Sequence, residues 1–317
     1  MKGDSEMLNI VSGKVPRAQK VVLYGPEGIG KTTLAAQTPD PLFIDTEGGS
    51  THLDVRRVQT SGGWLELLNV IREVAAAPSI CKTLVIDTAD WAEQICTEYI
   101  LKKYNQPGIE AFGYGKGYTF LSEAFAELLS ACDDVIQSGK HVVITAHAKM
   151  RKQELPDEAG AFDRWELKLS RQTAPLLKEW ADALLFLTYK TYVVTTDDNK
   201  HKAQGGKRVI YTSHSPVWDA KNRHGLPAEL ELSYDAIAPI FDAVKPQPTA
   251  LDELRAKLEE TGLTEAALMQ VVAARKRYPE GTPITEYSAD FIRSWIFKYW
   301  PQIIEAANNA GMEDSNG

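Results

Sequence analysis

The sequence has few cysteines and no long apolar run. Its three cysteines, Cys81, Cys96 and Cys132, are too few and too widely spaced for a disulfide framework or a zinc pattern, and they favour a reducing, cytoplasmic setting. No apolar run reaches the roughly 18 residues of a membrane span, and no charged-then-apolar amino terminus indicates a signal peptide. We therefore expect a cytoplasmic protein without membrane contact.

An excess of positive charge is also absent, since the formal net charge is −8. This balance argues against a protein that coats nucleic acid with its whole surface. The charge is unevenly spread, because residues 140–224 contain 15 Lys and Arg against 10 Asp and Glu. A basic face on an acidic body and a solvated surface that leans positive both agree with this pattern.

The 317 residues, 44% of them hydrophobic, suffice for one large α/β core and a small appendage. Apolar strand-like runs alternate with segments of helical spacing, which predicts a mostly parallel, twisted sheet flanked by helices. Strand pairs without helices late in the core predict an antiparallel extension. The predicted strands are Lys20–Gly25, Leu42–Thr46, Thr83–Thr88, His141–His147, ADALLFLTY, YVVTT and KRVIYTSHS. The predicted helices are Lys31–Gln37, Trp64–Ala77, Trp91–Tyr104, Thr119–Ser138, Leu251–Thr261, Glu265–Arg277 and Tyr287–Ala307.

The chain organisation follows from these patterns and from the proline-containing run KPQPT, which is typical of a stiff linker. The predicted parts are a lead-in at residues 1–19, a core at 20–244, a linker at 245–250, a helical domain at 251–310 and a disordered tail at 311–317.

A phosphate-binding loop follows the first strand. It consists of Gly25, Pro26, Glu27, Gly28, Ile29, Gly30, Lys31 and Thr32, with Thr33 directly after it. Glycines let backbone N–H groups approach phosphates, the lysine places a charge on the β and γ oxygens, and the Thr32 hydroxyl can hold Mg²⁺. The strand before and helix after the loop are the context that this P-loop motif needs, so we expect ATP and Mg²⁺ as ligands.

Asp87 ends the apolar strand TLVID and is the candidate Walker B carboxylate, which holds Mg²⁺ beside Thr32. A second carboxylate, Glu47, follows the strand after the P-loop helix. A small-molecule kinase has no obvious need of a carboxylate there, whereas a hydrolase must polarise a water for attack on the γ-phosphate.

The order of these parts resembles the RecA/recombinase branch of P-loop ATPases. In that branch the strand after the P-loop helix ends in F-I-D-x-E, which matches FIDTE at Phe43–Glu47, and the resemblance implies that Glu47 is the catalytic base. The strand after Walker B ends there in a γ-phosphate sensor that leads into a DNA-binding loop. His147 occupies that place instead of the usual glutamine, and histidine can still donate to a phosphate oxygen.

Two segments are candidates for contact with DNA, and both could equally be plain surface loops. The segment at residues 106–118 combines glycines with aromatic rings and a cation, the combination used in single-strand binding; its candidates are Phe112, Tyr114 and Lys116. The segment at residues 149–168 contributes Lys149, Arg151, Lys152 and Arg164, although carboxylates that include Glu154, Asp157, Glu158 and Asp163 dilute its positive charge.

RecA-type ATPases complete their site with cations from a neighbouring subunit. Lys221 and Arg223 are the candidates here, and Arg171 and Lys178 are a second choice. A structural turn with surface charges is the alternative for each of them.

The closest resemblance, over Val21–Phe241, is to RecA-like ATP-binding proteins of bacteriophages, including Sak-type single-strand annealing recombinases. It rests on the P-loop, FIDTEGG, LVIDT, the strand ending in His147, and DAKNRHGLP. It implies a homo-oligomer, ring or filament, that binds single-stranded DNA and anneals or exchanges strands. A helicase or loader motor, and a nucleotide-switched regulator or small-molecule kinase without DNA, remain alternatives. Two interpretations of the C-terminal helices stay open. They form a small bundle that packs on itself, or they provide a docking surface for a single-strand DNA-binding protein.

Overall fold

A ten-stranded mixed β-sheet forms the centre of the first of two compact units, residues 1–244 and residues 245–317. The computed structural model describes residues 16–59, 62–154, 160–195, 201–242 and 250–313. Most of the predicted lead-in and linker, and part of the predicted tail, lie outside these ranges. Within them, no helix is both long and apolar enough to span a membrane.

The strands are β1 Lys20–Gly25, β2 Pro41–Asp45, β3 Arg56–Val58, β4 Thr83–Asp87, β5 His141–Glu154, β6 Ala161–Leu167, β7 Ala183–Thr195, β8 His201–Tyr211, β9 Lys221–Asn222 and β10 Glu229–Glu231. The helices of this unit are α1 Lys31–Ala35, α2 Trp64–Ala76, α3 Ala89–Lys103, α4 Lys116–Gln137, α5 Thr173–Trp180 and α6 Tyr234–Asp242. The strand order is β10-β8-β7-β1-β5-β4-β2-β3, with β6 paired to β5 and β9 paired to β7.

Helices cover both faces of the sheet, because successive side chains of a strand point to opposite sides. On β1, Val22 and Tyr24 pack in the core with α2 to α5, whereas Val21 and Leu23 pack in the core with α1 and α6. Burial on both faces explains why these strands read as continuous apolar runs. The predicted mostly parallel sheet with flanking helices is confirmed, and β7 with β8 forms the antiparallel extension.

The charged segment after His147 is not a loop, which corrects the sequence interpretation. Strand β5 continues to Glu154 and pairs antiparallel with β6; we call residues 148–154 and 161–167 the β5–β6 arm. Lys149 lies opposite Glu166, and Lys152 opposite Asp163. Within the arm, Arg151 forms an ion pair with Glu166 across the two strands at 3.5 Å. Both strands are largely polar and therefore lack the apolar alternation by which a strand is predicted.

The runs ADALLFLTY and YVVTT were predicted as separate strands, and the structure joins them in β7. They form one strand because β8 pairs with β7 continuously from Phe186 to Thr195, across the junction of the two runs, with a register shift between Lys190 and Thr191 that absorbs the irregularity.

The second unit is helical, as predicted. Its elements are α7 Ala250–Thr261, α8 Glu265–Ala274, a 3-10 turn at Ile284–Glu286, α9 Ala289–Phe291, a π-helical turn at Ile292–Ile296 and α10 Trp300–Glu313. The single predicted helix Tyr287–Ala307 is thus divided. Pro301 lies in the first turn of α10, where a missing N–H costs no hydrogen bond. Leu254, Leu268 and Ile296 belong to the separate core of this unit.

Candidate active site

The P-loop joins β1 to α1, and its glycines are required by geometry. A Cβ on Gly25 would lie 2.2 Å from the carbonyl oxygen of Leu187 on the neighbouring strand β7. Gly28 and Gly30 have φ angles of +71° and +109°, which disfavour a side chain. Ile29 is fully buried between them and anchors the loop. Gly30 caps α1 without a side-chain hydrogen bond, which leaves the first N–H groups of the helix available to an anion.

Lys31 lies across this loop, largely buried. Its ammonium donates to the carbonyl oxygens of Gly25 and Pro26, at 3.1 and 3.0 Å. Burial lowers the pKa of Lys31, against the attraction of nearby carboxylates. These carboxylates are Asp90, Asp87, Glu47 and Glu27. The site therefore already concentrates one cation among several anions at the phosphate loop.

The carboxyl ends of four neighbouring strands bring the candidate catalytic residues into one row. Strand β5 lies between β1 and β4, so His147 is the register partner of Gly25. On the other side of β4, Asp45 of β2 is the register partner of Asp87. Adjacent strands are about 4.8 Å apart, so the P-loop, His147, Asp87 and the residues after β2 line one edge within about 15 Å.

Asp87 is almost fully buried at the end of β4. Burial raises its pKa, and hydrogen bonds from the Thr145 and Thr32 hydroxyls oppose that rise. A hydroxyl and a carboxylate in contact are hard oxygen donors of the kind that Mg²⁺ prefers, so Thr32 and Asp87 fit this ion. No group of three or more His, Cys, Asp or Glu in the described parts of the chain could hold a metal by itself. This is consistent with an ion that takes its other ligands from phosphates and water.

Glu47 lies in a turn that Asp45 holds in place. The Asp45 carboxylate accepts hydrogen bonds from the N–H groups of Gly48 and Ser50, at 2.7 and 2.9 Å, and from the Ser50 hydroxyl at 2.6 Å. Burial raises the pKa of Glu47, and His147 counteracts this, while Asp90 and Asp87 add to it. Asp45 therefore has a structural role within FIDTE. Glu47 instead interacts electrostatically with His147, Asp90 and Asp87.

Asp90, in the first turn of α3, is a site residue that the sequence analysis missed. Its Oδ1 accepts the backbone N–H of His147 at 2.9 Å, and its Oδ2 lies 2.8 Å from His147 Nδ1. Burial would raise the pKa of Asp90, but the hydrogen bonds and charge of His147 lower it overall. The only sequence signal for Asp90 is its position three residues after Asp87, in the first turn of the helix that Thr88 caps.

Arg208 is the second missed residue, on β8. Its Nη1 lies 3.4 Å from the carbonyl oxygen of Ile29 and 3.2 Å from the point where a Cβ on Gly30 would be. Antiparallel pairing with β7 brings it over the P-loop from a position 177 residues beyond Lys31 in the chain. No local pattern in KRVIY could indicate that contact.

Comparison with known proteins agrees with this geometry. Residues 17–224 match the AAA domain family, which is more than half of the chain. The chain belongs to the AAA domain family. It is similar in structure to a KaiC-like protein from the hyperthermophilic archaeon Pyrococcus horikoshii OT3, at 18% sequence identity and a TM-score of 0.35, covering 63% of this chain and 84% of that chain. No curated protein matches it. The predicted P-loop ATPase core, with a mostly parallel sheet flanked by helices, is confirmed.

The candidate trans cations of this AAA domain lie at the amino ends of the parallel strands, whereas the P-loop lies at their carboxyl ends. Lys221 pairs with Leu184 on β9 and β7, near the amino ends of the parallel strands. Its ammonium donates to the carbonyl oxygens of Lys178, Glu179 and Ala181 at the end of α5. Arg223 forms an ion pair with Asp182 at 2.8 Å and keeps a largely exposed side chain. Of the second choice, Arg171 is exposed and Lys178 pairs with Asp219 at 3.1 Å.

The first candidate DNA segment contains a packed core and an exposed tip. Phe112 lies edge-on to Tyr104 and Phe120, and a Cβ on Gly117 would come within 2.8 Å of its ring. Tyr114 is fully exposed, and Lys116 is exposed at the start of α4. The structure thus separates a packing residue from two residues that are free to meet a ligand.

The second segment, the β5–β6 arm, makes internal contacts with several of its cations. Lys149 donates to the carbonyl oxygen of Leu169, and Arg151 pairs with Glu166 at 3.5 Å. Arg164 pairs with Asp219 and donates to the carbonyl oxygen of Pro216. Lys152 has an exposed side chain.

An aromatic cleft of about 670 Å³ opens where the arm meets the P-loop. Its lining includes Pro26 and the rings of Trp165, Phe186 and Trp218. Asp219 connects the same regions, because it holds Arg164 of the arm and its carbonyl oxygen accepts the Tyr24 hydroxyl at 2.5 Å. The residue before the P-loop is therefore linked to the arm by direct contacts.

Proposed function

We propose that this AAA domain protein is an ATP-hydrolysing, phage-type recombination protein. It acts on single-stranded DNA, by annealing or strand exchange, as a homo-oligomer with ATP at the subunit interfaces. The observation that supports this most is the continuity of β5. One uninterrupted strand carries His147 beside the P-loop and then the cations of the arm.

Each residue of the row has a part in hydrolysis. Lys31 and the N–H groups of the P-loop bind the β- and γ-phosphates, and Arg208 approaches the same loop. Thr32 and Asp87 would hold Mg²⁺, which when bound neutralises phosphate charge. Glu47 accepts the proton of the attacking water. Its raised pKa keeps a base that is stronger than an ordinary carboxylate next to the γ-phosphate position.

His147 is the proposed link between the phosphate and the DNA. Asp90 fixes both its backbone and its ring, which leaves Nε2 as the ring nitrogen for another partner. Its carbonyl oxygen accepts the N–H of Lys168 at 2.8 Å, where the arm returns to the core. Lys168 in turn lies 3.8 Å from Glu27 of the P-loop. A change at the phosphate would therefore reach both strands of the arm.

The direct contacts with DNA are assigned to the exposed candidates. Tyr114 offers a free ring face for a base, and Lys116 and Lys152 offer free charges for phosphates. Phe112, Lys149, Arg151 and Arg164 support these segments through their internal contacts. For ATP at a subunit interface, Arg223 is the better trans candidate, because Lys221 is engaged with the end of α5.

The test is steady-state ATP hydrolysis with and without single-stranded DNA, for the wild type and for Glu47→Ala. We expect DNA to raise turnover several-fold in the wild type. The variant should bind ATP and DNA but hydrolyse at least about 100-fold more slowly, as for loss of a general base. Turnover that DNA does not change, with normal hydrolysis by the variant, would overturn the proposal in favour of a regulator or kinase. A strand-displacement assay on a forked substrate would reveal a motor instead.

A further inference from the structure

A basic and aromatic surface lies on the C-terminal unit, apart from every residue used above. Three consecutive exposed cations, Arg275, Lys276 and Arg277, follow α8. Two clefts meet at Arg277, one of about 680 Å³ lined also by Lys276 and one of about 480 Å³ lined also by Arg275 and Trp295. The charged residues that line the two clefts are these three cations and a single carboxylate, Glu280.

These cations differ from the other arginines of the unit in lacking a carboxylate partner. Arg255 pairs with Glu265 at 3.4 Å, and Arg293 pairs with Glu253 at 3.1 Å. Within residues 250–307, no ion pair involves Arg275, Lys276 or Arg277. The carboxyl end of any helix favours positive charge, but that effect does not require three adjacent cations that all remain available.

The backbone holds this cluster in a defined turn. The N–H of Arg277 bonds to the carbonyl oxygen of Val272 at 3.1 Å, and the N–H of Lys276 bonds to that of Ala273 at 2.8 Å. This is the Schellman arrangement, and it places Lys276 in the left-handed region, with a φ of +53°. Glycine is the favoured residue at that position, so the chain keeps a charged side chain where the backbone prefers none.

A row of aromatic rings runs beside the cations. Phe291 stacks on Trp295 with ring centroids 5.2 Å apart, and Trp295 packs with Tyr299 at 5.8 Å. The Arg277 guanidinium lies over the Trp295 ring at 5.2 Å, and Tyr299 is 38% exposed. Trp295 belongs to the π-helical turn, in which the N–H of Phe297 bonds to the carbonyl oxygen of Ile292. Such turns often occur at functional sites.

We propose that this C-terminal basic-aromatic surface, defined by Arg275, Lys276, Arg277, Trp295 and Tyr299, is a second binding site for single-stranded DNA. The cations take phosphates, and unpaired bases stack on Tyr299 and on the Arg277–Trp295 pair. Only unpaired bases offer free faces for such stacking, which favours a single strand over a duplex. The proposal rests on the proposed action on single-stranded DNA and adds a contact outside the ATPase core.

The test measures fluorescence anisotropy of a labelled oligothymidylate with the full-length protein over a range of salt concentrations. The double variant Arg275→Gln/Arg277→Gln should bind about 10-fold more weakly at low salt. The salt dependence should become weaker: the negative slope of log affinity against log salt should decrease in magnitude by about 1.4, since each of the two lost phosphate contacts of a single strand contributes about 0.7. Tyr299→Leu keeps most of the side-chain volume; it should weaken binding about 5-fold or more and leave the slope unchanged, because it removes stacking only.

The matched control is Arg255→Gln/Arg293→Gln, which removes the same charge from the same unit at paired positions. It should bind like the wild type. If the wild type fails to bind the oligonucleotide, the proposed function fails and this site fails with it. If the wild type binds and the Arg275/Arg277 variant binds with the same affinity and slope, only the second site is refuted. A control as weak as the test variant would show a non-specific charge effect and also refute the site.

Discussion

Asp90 holds His147 at two points, the backbone N–H at 2.9 Å and ring Nδ1 at 2.8 Å. A carboxylate beside Nδ1 fixes the ring orientation and makes Nδ1 the donor toward Asp90. Both side chains are more than nine-tenths buried at the edge of the sheet. The position of the candidate γ-phosphate sensor therefore depends on a helix residue, not on its own strand alone.

Asp90→Asn should uncouple this sensor without preventing ATP binding. The amide oxygen can still accept the backbone N–H, but an NH2 group replaces the carboxylate oxygen that faces Nδ1, so the ring loses its charged acceptor and its fixed orientation. We expect DNA-stimulated turnover to fall on the order of 10-fold or more, the usual effect of losing an orienting carboxylate. ATP affinity should change little. The exposed Asp134→Asn on α4 is the control, and an Asp90→Asn enzyme with wild-type stimulation would contradict the assignment.

Arg208→Gln should weaken ATP binding, because the guanidinium contacts the P-loop at Ile29 and no other cation of the described β8 side chains does so. A charge-assisted contact of this kind supports about a 10-fold change in Kd. Titration with a fluorescent ATP analogue measures it. Lys207→Gln, which changes the adjacent exposed residue paired with Glu231, should bind as the wild type does. Equal affinity of both variants would show that Arg208 is not part of the nucleotide site.

Gly25→Ala should destabilise the core strongly, since its Cβ would lie 2.2 Å from the Leu187 carbonyl oxygen and would force β1 and β7 apart. We expect a loss of about 3 kcal/mol or more, and a fall in Tm of roughly 10 °C. A Cβ on Gly28 would meet no atom within 4 Å, but the backbone of this residue has a φ of +71°. Gly28→Ala should cost only about 1 kcal/mol. Thermal unfolding followed by circular dichroism compares the two, and equal Tm values would contradict the packing argument.

His141 predicts how stability depends on pH. Burial lowers its pKa from 6.5 to about 4, and its Nδ1 accepts the N–H of Gln19 at 3.1 Å. The unfolded chain therefore binds an extra proton between pH 6.5 and 4. Stability from this residue is complete above pH 6.5, is lost as pH falls through that window, and amounts to about 3 kcal/mol.

The variant His141→Asn keeps an acceptor near the Gln19 N–H and removes the titrating ring. It should be less stable than the wild type at pH 7.5, because it loses the ring packing against Phe241. Its free energy of unfolding should nevertheless fall less between pH 6.5 and 4. Urea unfolding at several pH values measures the free energy of unfolding against pH for the wild type and the variant. If the two proteins lose stability equally between pH 6.5 and 4, His141 is not the titrating group.

Lys221 and Arg223 should separate into a structural and a trans-acting residue. Lys221→Met removes a cation from three carbonyl oxygens at the end of α5 and should lower Tm. Arg223→Gln should lower Tm less, because the Arg223 side chain is largely exposed and the buried Asp182 keeps a second ion pair with Arg17 at 2.6 Å.

If Arg223 acts across a subunit interface, Arg223→Gln and Glu47→Gln, each inactive alone, should regain ATPase activity when mixed. A mixed interface then combines an intact site from one subunit with an intact arginine from the next. A mixture that stays inactive, although the variants co-assemble, would reject the trans role.

Much of the core was readable in the sequence. The P-loop needs glycines at fixed spacing and a strand and helix around it, all of which are local features. Buried parallel strands are apolar on both faces, so β1, β2, β4 and the first half of β5 stand out as runs. The arm was misread as a loop because largely polar strands have no such signature, and the contacts that hold the arm join residues far apart in the chain, such as Arg164 with Asp219.

The sequence by itself therefore determined the P-loop, the apolar strands of the sheet and the residue types at the strand ends. Only the tertiary structure decided which of those residues meet. The strand order places β5 between β1 and β4 and so puts His147 beside Gly25. It also brings Asp90 to His147, Arg208 to the P-loop and Asp219 to both Tyr24 and Arg164. These contacts join residues 55 or more positions apart, and no local spacing encodes them because strand order is set by packing of the whole core.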